Sequence, residues 1–589
     1  MPVTPQARRH GWVRWAGLAV LLVALAAVAA VLAGRRLAPP PADALGPSPW
    51  APSRAEVRGA YHVHSRLSDG TGTRATIAAA ARRAGLDFVI LTDHGDGTRA
   101  PEPPSYIDGV LVADGTEVGT WGGHYVVLGL DQPVPYPLAG PAATVVADVR
   151  RLGGFGIAAH PGSSKAALRW TGWDLPFDGM EWLNADSEWR DELVGDLGRM
   201  LLTYPVRPVE TLATILDRPA DDLARWDHLT ATRRVPALAG ADAHARLGYR
   251  EGEDPYEDRV FAEVPPYEVS FKAFSNHVLL ERPWSGKAAE DWHLLLDGIM
   301  RGRIYTTIDG LAAPGAIDFV ARSGPGAAWM GDDLRPDGPV TLEVRSHAPA
   351  GARIAVLRDG APFYDVVAPA MSIDVGTEPG AYRVEVRLPG DDGAPWLLTN
   401  PIYVGLEDRH AAATAAADTP RPPATSRSPV ATNAWIAEAS AGSTSRLASG
   451  ALEDGTPALR WTFGLDEGRP AGQYAAMRFP VAGALPGHDR LQLRARASRP
   501  MRVWVQLRTR GAGGQRWGAS VYLDETLSTQ DVFFTDVVPL DGQSGERPDL
   551  SAVDALLIVV DTVNTRTGTT GEIDIPELWL STGGDSRGK

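Results

Sequence analysis

The 589-residue chain contains no cysteine. That excludes disulfide bridges, thiolate metal ligands, a thiol nucleophile and an anchor through a lipidated cysteine. It also lacks an excess of positive charge. Fifty-seven Lys and Arg stand against 72 Asp and Glu, a net of −15, which argues against a nucleic-acid scaffold and against duplex nucleic acid as a partner. The same balance is compatible with an enzyme acting on a small phosphorylated or nucleotide substrate. There is no short-period repeat and no G-x-S-x-G nucleophile elbow.

One uncharged run is present, the twenty residues from Trp15 to Gly34, about one hydrocarbon thickness of helix. Arg8, Arg9 and Arg14 precede it and Arg35 and Arg36 follow, so the positive-inside balance leans only slightly towards an N-terminus in the cytoplasm. "ADA" at 42–44 resembles a signal-peptidase site, but the arginine pair directly after the apolar run disfavours cleavage there. Residues 1–36 are therefore expected to be a transmembrane signal anchor that crosses the bilayer through 15–34. The catalytic part is then extracytoplasmic, in a periplasm or at the cell surface. Residues 37–56 are Pro/Ala-rich and read as a tether.

From 57 to 312 short apolar runs alternate with helix-like stretches, ending in a mixed extension that carries "DWHLLLDGIMRG" and "RIYTTID". This alternation predicts an α/β fold with parallel strands, for which a barrel is the natural closure. Residues 313–405 change to short alternating strands, a small β-sandwich. Residues 406–432 are Ala/Pro/Thr-rich and read as a disordered linker. Residues 433–582 are strand-like throughout and form a last β-sandwich.

Nearly every predicted strand of the first region ends beside a metal-type ligand. "YHVHSRLSDG" supplies His62 and His64, two apart and so on one strand face, with Asp69 just beyond; "TDH" supplies His94. "GTE" gives Glu117 and the turn "TWGG" leads to His124, "AHP" gives His160, and "DAH" gives Asp242 and His244. Six of the 13 histidines thus sit at strand ends in one region. In an α/β barrel such ends converge on one mouth. A mixed His/carboxylate set suits zinc, manganese or iron better than calcium or magnesium. Nine ligands exceed the needs of one tetrahedral ion, so two or three divalent cations are implied. With six neutral histidines and three carboxylates around three dications, the formal charge is about +3, which attracts an anionic substrate. His228 and His277 lie outside this pattern and read as structural.

"HVHSRLSDG", "LTDH", "GTE", "GHYVVLGL", "AAHP" and "GADAH", in this order, resemble the motif series of the PHP (polymerase and histidinol phosphatase) superfamily of metal-dependent hydrolases. The resemblance covers about residues 57 to 250. "MRGRIYTTIDG" and "TNPIYVG" are more loosely similar to the stretch behind the barrel in its CehA/McbA-like branch. The resemblance implies a distorted (β/α)7, TIM-like barrel and a trinuclear site with ligands His62, His64, Asp69, His94, Glu117, His124, His160, Asp242 and His244.

The expected activity is a phosphoesterase acting on a phosphomonoester or small phosphodiester, with a metal-bridging hydroxide as nucleophile. Glu117 is the candidate bridging carboxylate and Asp242 the candidate base. Arg66, Lys165 and Arg246 lie beside ligand motifs and are candidates to hold phosphate oxygens. Glu181 and Asn184, in "MEWLN", read as structural support. Two rival readings stand beside this one: a carboxyl-ester or carbamate hydrolase with the same site, and a membrane-tethered surface protein that binds a glycan. Through "LRWTFGL", "MRVWVQLR" and "EIDIPELWL" the last region is similar to jelly-roll, galactose-binding-like modules; Trp504 and Trp517 are candidates to stack on a sugar, with core packing or a strand edge the commoner reason for such tryptophans.

Overall fold

A computed structural model describes residues 5–190, 194–249, 259–390, 393–417, 421–468, 472–481, 485–509, 514–540 and 547–583. The chain is mixed α/β and divides into two units. The first takes in the chain up to Gly95, Pro101–Gly129 and Gly153–Ala415; the second takes in Asp96–Ala100, Leu130–Leu152 and the chain from Ala416 onward.

The first unit begins with helix α1 (Pro5–Leu37), whose Leu18–Leu37 stretch has a mean hydropathy of 2.4 and is long and apolar enough to cross a membrane. The segment read as a tether makes contacts along the unit. Asp43–Ala44 pairs in parallel with Ala312–Ala313. Arg207 donates to the Pro39 carbonyl at 2.8 Å, and the His347 ring meets both the Gly46 carbonyl (2.8 Å) and the edge of Trp50. Proline and alanine leave the backbone carbonyls of such a segment uncommitted, so neighbouring donors can take them.

Strand β1 (Ala55–Val63) leads through helix α2 (Arg74–Ala84) to β2 (Phe88–Leu91), and β3 (Val110–Asp114) lies beside β2; all three strands are parallel. Strands β4 (Thr116–Thr120), β5 (Gly123–Leu128), β6 (Phe155–Ala158), β7 (Gly179–Asn184) and β8 (Ala237–Gly240) form a five-stranded sheet. Here the all-parallel expectation fails. β5 runs antiparallel to both β4 and β6, because only Trp121 and Gly122 separate β4 from β5 and so short a link can only make a hairpin. Gly123, at φ +104°, closes that turn.

The two sheets do not form one continuous ladder among the described residues. They meet at two isolated parallel bridges, Val63–Ala243 and His94–Glu117. On the other edge, β1 pairs antiparallel with β9 (Ser275–Leu280), and β9 with β10 (Ile304–Thr307). β10 in turn pairs with Leu397–Thr399, so the region expected to be a separate small sandwich shares a sheet with β1. Ala316–Ser323, Gly326–Trp329, Thr341–His347 and Ala370–Asp374 make a separate four-stranded sheet, while Arg353–Arg358, Gly380–Arg387 and Ile402–Val404 also join the sheet of β1. Tyr61, Ile90, Leu111, Val126, Ile157, Leu238, Val278 and Ile299 belong to one core cluster across these strands. Away from it, buried Arg383 forks onto Asp227 at 2.7 and 2.9 Å and donates to Glu385 at 2.7 Å.

The second unit contains two six-stranded antiparallel sheets around Trp461, Leu491, Leu493, Val503, Val505 and Ile558. The stretch expected to be a disordered linker carries a helix, Glu407–Ala417, and an edge strand, Ser426–Pro429, which pairs with the last strand; residues 418–420 of it lie outside the described residues. Helix α3 (Ala142–Arg151) also belongs to this unit. Arg502 forks onto its Asp148 (both 2.7 Å), Arg151 stacks on Tyr522, and Asn564 donates to the carbonyls of Pro137 and Ala139.

Candidate metal centre

All nine side chains marked at strand ends face one another. β1 ends at His62 and His64, and the loop to α2 carries Asp69. His94 follows β2, Glu117 stands in β4, His124 in β5, and His160 follows β6; Asp242 and His244 follow β8. Glu117 is the hub. One of its oxygens lies 2.6 Å from His124 Nδ1 and 2.8 Å from His160 Nε2, and the other lies 3.0 Å from His94 Nδ1 and 3.3 Å from both His62 and His64 Nε2. Asp242 Oδ1 is 3.2 Å from His64 Nε2 and 3.5 Å from His62 Nε2, while Asp69 Oδ1 is 3.3 Å from His244 Nε2 and 3.5 Å from His64 Nδ1.

These contacts resolve into four overlapping groups, each with its ligand atoms within 4.8 Å of one another. They are His64, Asp69, His94 and His244; His62, Glu117 and His160; His62, His64 and Asp242; and His94, Glu117 and His124. Sharing of His62, His64, His94 and Glu117 between groups is what adjacent cations with common ligands require. The backbone is strained here. His62 (φ +63°), His160 (φ +29°) and Asp242 (φ +43°) adopt a left-handed conformation that costs non-glycine residues about 1–3 kcal/mol each.

The donor set fits divalent cations on a further observation. His62 Nε2, His64 Nε2, Asp69 Oδ1 and Glu117 Oε2 are buried with no hydrogen-bond partner. Such orphans are costly in a protein interior, and all four belong to the cluster.

Burial depresses the His62 imidazole, but the carboxylates of Glu181, Asp242 and Glu117 outweigh it and hold its pKa well above the ordinary range. His244, also buried, is pushed up to about 9 by Asp69 and Asp242. His94 goes the other way, down to about 4, through burial and the neighbouring His64 and His124. Burial raises Glu117, yet the surrounding histidines, led by His94 and His62, keep it well below the usual carboxylate range.

The three candidate phosphate-binding cations differ in placement. Arg246 Nη1 donates to the Asp69 carbonyl at 3.1 Å and lies 3.5 Å from its carboxylate. Arg66 is exposed and donates to the Thr71 carbonyl. Lys165 is exposed on the loop after His160.

Two supporting residues gave no signal in the sequence. Asp93, inside "TDH", accepts from Ser65 N and Oγ (both 2.7 Å) and Ser68 Oγ (2.6 Å), which fixes the loop leading to Asp69. Tyr267 places its hydroxyl 2.7 Å from the His64 carbonyl and accepts from Gly72 N at 3.0 Å. It is remote in sequence from every ligand motif.

Trp504 and Trp517 are 2% and 6% exposed, which fits core packing and leaves out the sugar-stacking alternative. Trp504 packs with Ala476, Leu557 and Val559 and its indole N–H donates to Asp561, while Trp517 belongs to the main sandwich core. Neither offers a face to a sugar.

No family model matches the chain, and no curated protein matches it. Among solved structures, a two-domain protein containing a predicted PHP-like metal-dependent phosphoesterase from Bacteroides vulgatus is 12% identical, covering 62% of this chain and all of that one, with a TM-score of 0.26. A family 11 carbohydrate-binding module of a cellulosomal cellulase from Clostridium thermocellum is 11% identical over 28% of this chain and 97% of its own (TM-score 0.23). A family 30 module of a cellulosomal cellulase from the same organism is 9% identical over 28% and 98% (TM-score 0.19).

Proposed function

We propose that the first unit is a PHP-type metal-dependent phosphoesterase, built as a distorted barrel and anchored through α1 outside the cytoplasm. Its substrate is a phosphomonoester or small phosphodiester. The observation that carries this reading is the set of four orphaned ligand atoms enclosed by six histidines and three carboxylates. Two or three cations of zinc, manganese or iron would be held by His62, His64, Asp69, His94, Glu117, His124, His160, Asp242 and His244. When bound, they supply Lewis acidity and lower the pKa of water to about 7.

The chain's own residues do the rest. Glu117, shared between two groups, fixes the separation of neighbouring ligands. Asp242, within 3.2–3.5 Å of His64 and His62, orients the attacking water and takes its proton on a carboxylate oxygen. Arg246 holds the Asp69 loop and presents a guanidinium beside it. Arg66 and Lys165 bind non-bridging phosphate oxygens from the rim.

The test compares nitrophenyl phosphate, bis-nitrophenyl phosphate and nitrophenyl acetate, using detergent-solubilised full chain supplied with manganese or zinc. Release from a phosphate, lost in Asp242→Ala/His244→Ala, is expected. Release from the acetate alone would overturn the phosphoesterase reading in favour of an ester or carbamate hydrolase.

A further inference from the structure

We propose that Glu181 is a positioning residue that sets the direction of two ligands at once, His62 and His160. The inference rests on the metal-centre reading above and adds a residue that does not itself ligate. Glu181 lies in β7 and is fully buried. A carboxyl group in such a place must be met by polar partners, and those partners are specific. Oε1 lies 2.5 Å from His62 Nδ1, and Oε2 accepts the His160 backbone N–H at 2.7 Å and the Asn184 side-chain N–H at 2.9 Å.

The first contact sets a direction. With Nδ1 engaged by Glu181, Nε2 is the nitrogen that His62 turns towards a cation. That atom is one of the four orphans, and it faces Glu117 and Asp242. The second contact holds a backbone. His160 and His62 both have positive φ, and both are tied to the one carboxylate. Asn184, three residues on in the same strand, keeps Oε2 aimed at His160.

The neighbouring strand makes room for this arrangement. A Cβ added at Gly240 in β8 would fall 2.5 Å from Glu181 Oε1 and 3.0 Å from Asn184 Nδ2. Glycine immediately before the Ala-Asp-Ala-His segment thus has a reason in the side chain opposite, independent of its own backbone conformation.

Two measurements on the full chain separate positioning from packing. In metal-stripped protein, a strongly downfield Nδ1–H proton of His62 is expected by NMR and is lost in Glu181→Gln. In titrations with manganese or zinc, the same variant loses about 10–100-fold in affinity, while the melting temperature of the metal-free protein stays within a few degrees. Unchanged affinity or a retained downfield proton in a folded Glu181→Gln would each overturn the proposal. Should Glu181→Gln fail to fold, Asn184→Ala carries the test: it leaves the charge and the His62 contact in place, and a several-fold weaker affinity is expected, no change being the contrary result. A wild-type chain that takes up neither metal overturns the metal-centre reading itself, and this proposal with it; that outcome is read from the wild-type arm alone.

Discussion

The imidazoles of His64 and His244 lie face to face, ring centroids 4.1 Å apart and planes within 10° of parallel. One follows the first strand of the region and the other the last strand of the five-stranded sheet. The backbone between them is tied as well, with His64 N–H donating to the Ala243 carbonyl at 3.0 Å. Asp69 Oδ1 lies within 3.5 Å of both rings, so the stack forms one wall of a four-ligand group with His94.

Removing a member of that wall is expected to remove one cation and not the whole centre. His244→Ala should lower metal content by about one equivalent, measured by elemental analysis, and lower the proposed hydrolytic activity by about 100-fold or more. Glu117→Gln, which touches five histidines, should abolish uptake at two groups together. Equal metal losses in the two variants would contradict the separation into groups.

Asp93 is expected to act through the loop it fixes. Asp93→Ala strands the Ser65 amide and frees the two hydroxyls, an effect of about 1–3 kcal/mol on stability readable by urea denaturation. Metal affinity should weaken because Asp69 loses its support, while Asp93→Asn should recover part of both.

The network of Arg383, Asp227 and Glu385 predicts a pH-dependent stability far from the metal centre. Burial raises the Glu385 carboxyl, but Arg218 and Arg383 outweigh it and bring it down to about 2 from an ordinary 4.5. Its contribution is therefore complete above about pH 4.5 and is lost as pH falls through 2, amounting to about 3 kcal/mol. Arg383→Met, which leaves Asp227 buried without its fork, should cost about 3–5 kcal/mol at neutral pH. Thermal melts of both proteins between pH 3 and 7 check the sign: the wild type gains stability with rising pH, and the variant gains less.

The Pro/Ala-rich segment before β1 should resist proteolysis. Its contacts with Ala312–Ala313, Arg207 and His347 predict slow cleavage between residues 39 and 52 under limited digestion. His347→Ala should speed cleavage near Gly46. Rapid cleavage of the wild type there would restore the free tether.

Most ligand positions were legible because they sit where an apolar run stops or starts, and a strand end fixes both the place and the direction of the side chain; Asp69 lies in a loop beside such an end. Strand direction was not. "GHYVVLGL" has the same apolar pattern whether it runs parallel or antiparallel, and only the two-residue link after Thr120 distinguishes them. The seam between β10 and Leu397–Thr399 was hidden because strand patterning marks faces, not edges. The composition of 37–56 indicated freedom, but a proline-rich chain can still pair through its carbonyls. Trp504 and Trp517 illustrate the limit of residue type as evidence: the amphipathic ring that suits a sugar also suits a sandwich core. Tyr267 acts through backbone atoms, and Asp93 through one backbone amide and two serine hydroxyls, contacts that leave no motif.

The central claim is that six histidines and three carboxylates form a centre for two or three cations. Metal titration of stripped full-length protein, followed by elemental analysis after gel filtration, tests it most directly. The account predicts about two to three tightly held equivalents of zinc or manganese per chain, reduced in His244→Ala and Glu117→Gln. Less than one equivalent, or equal uptake by the wild type and both variants, would contradict it.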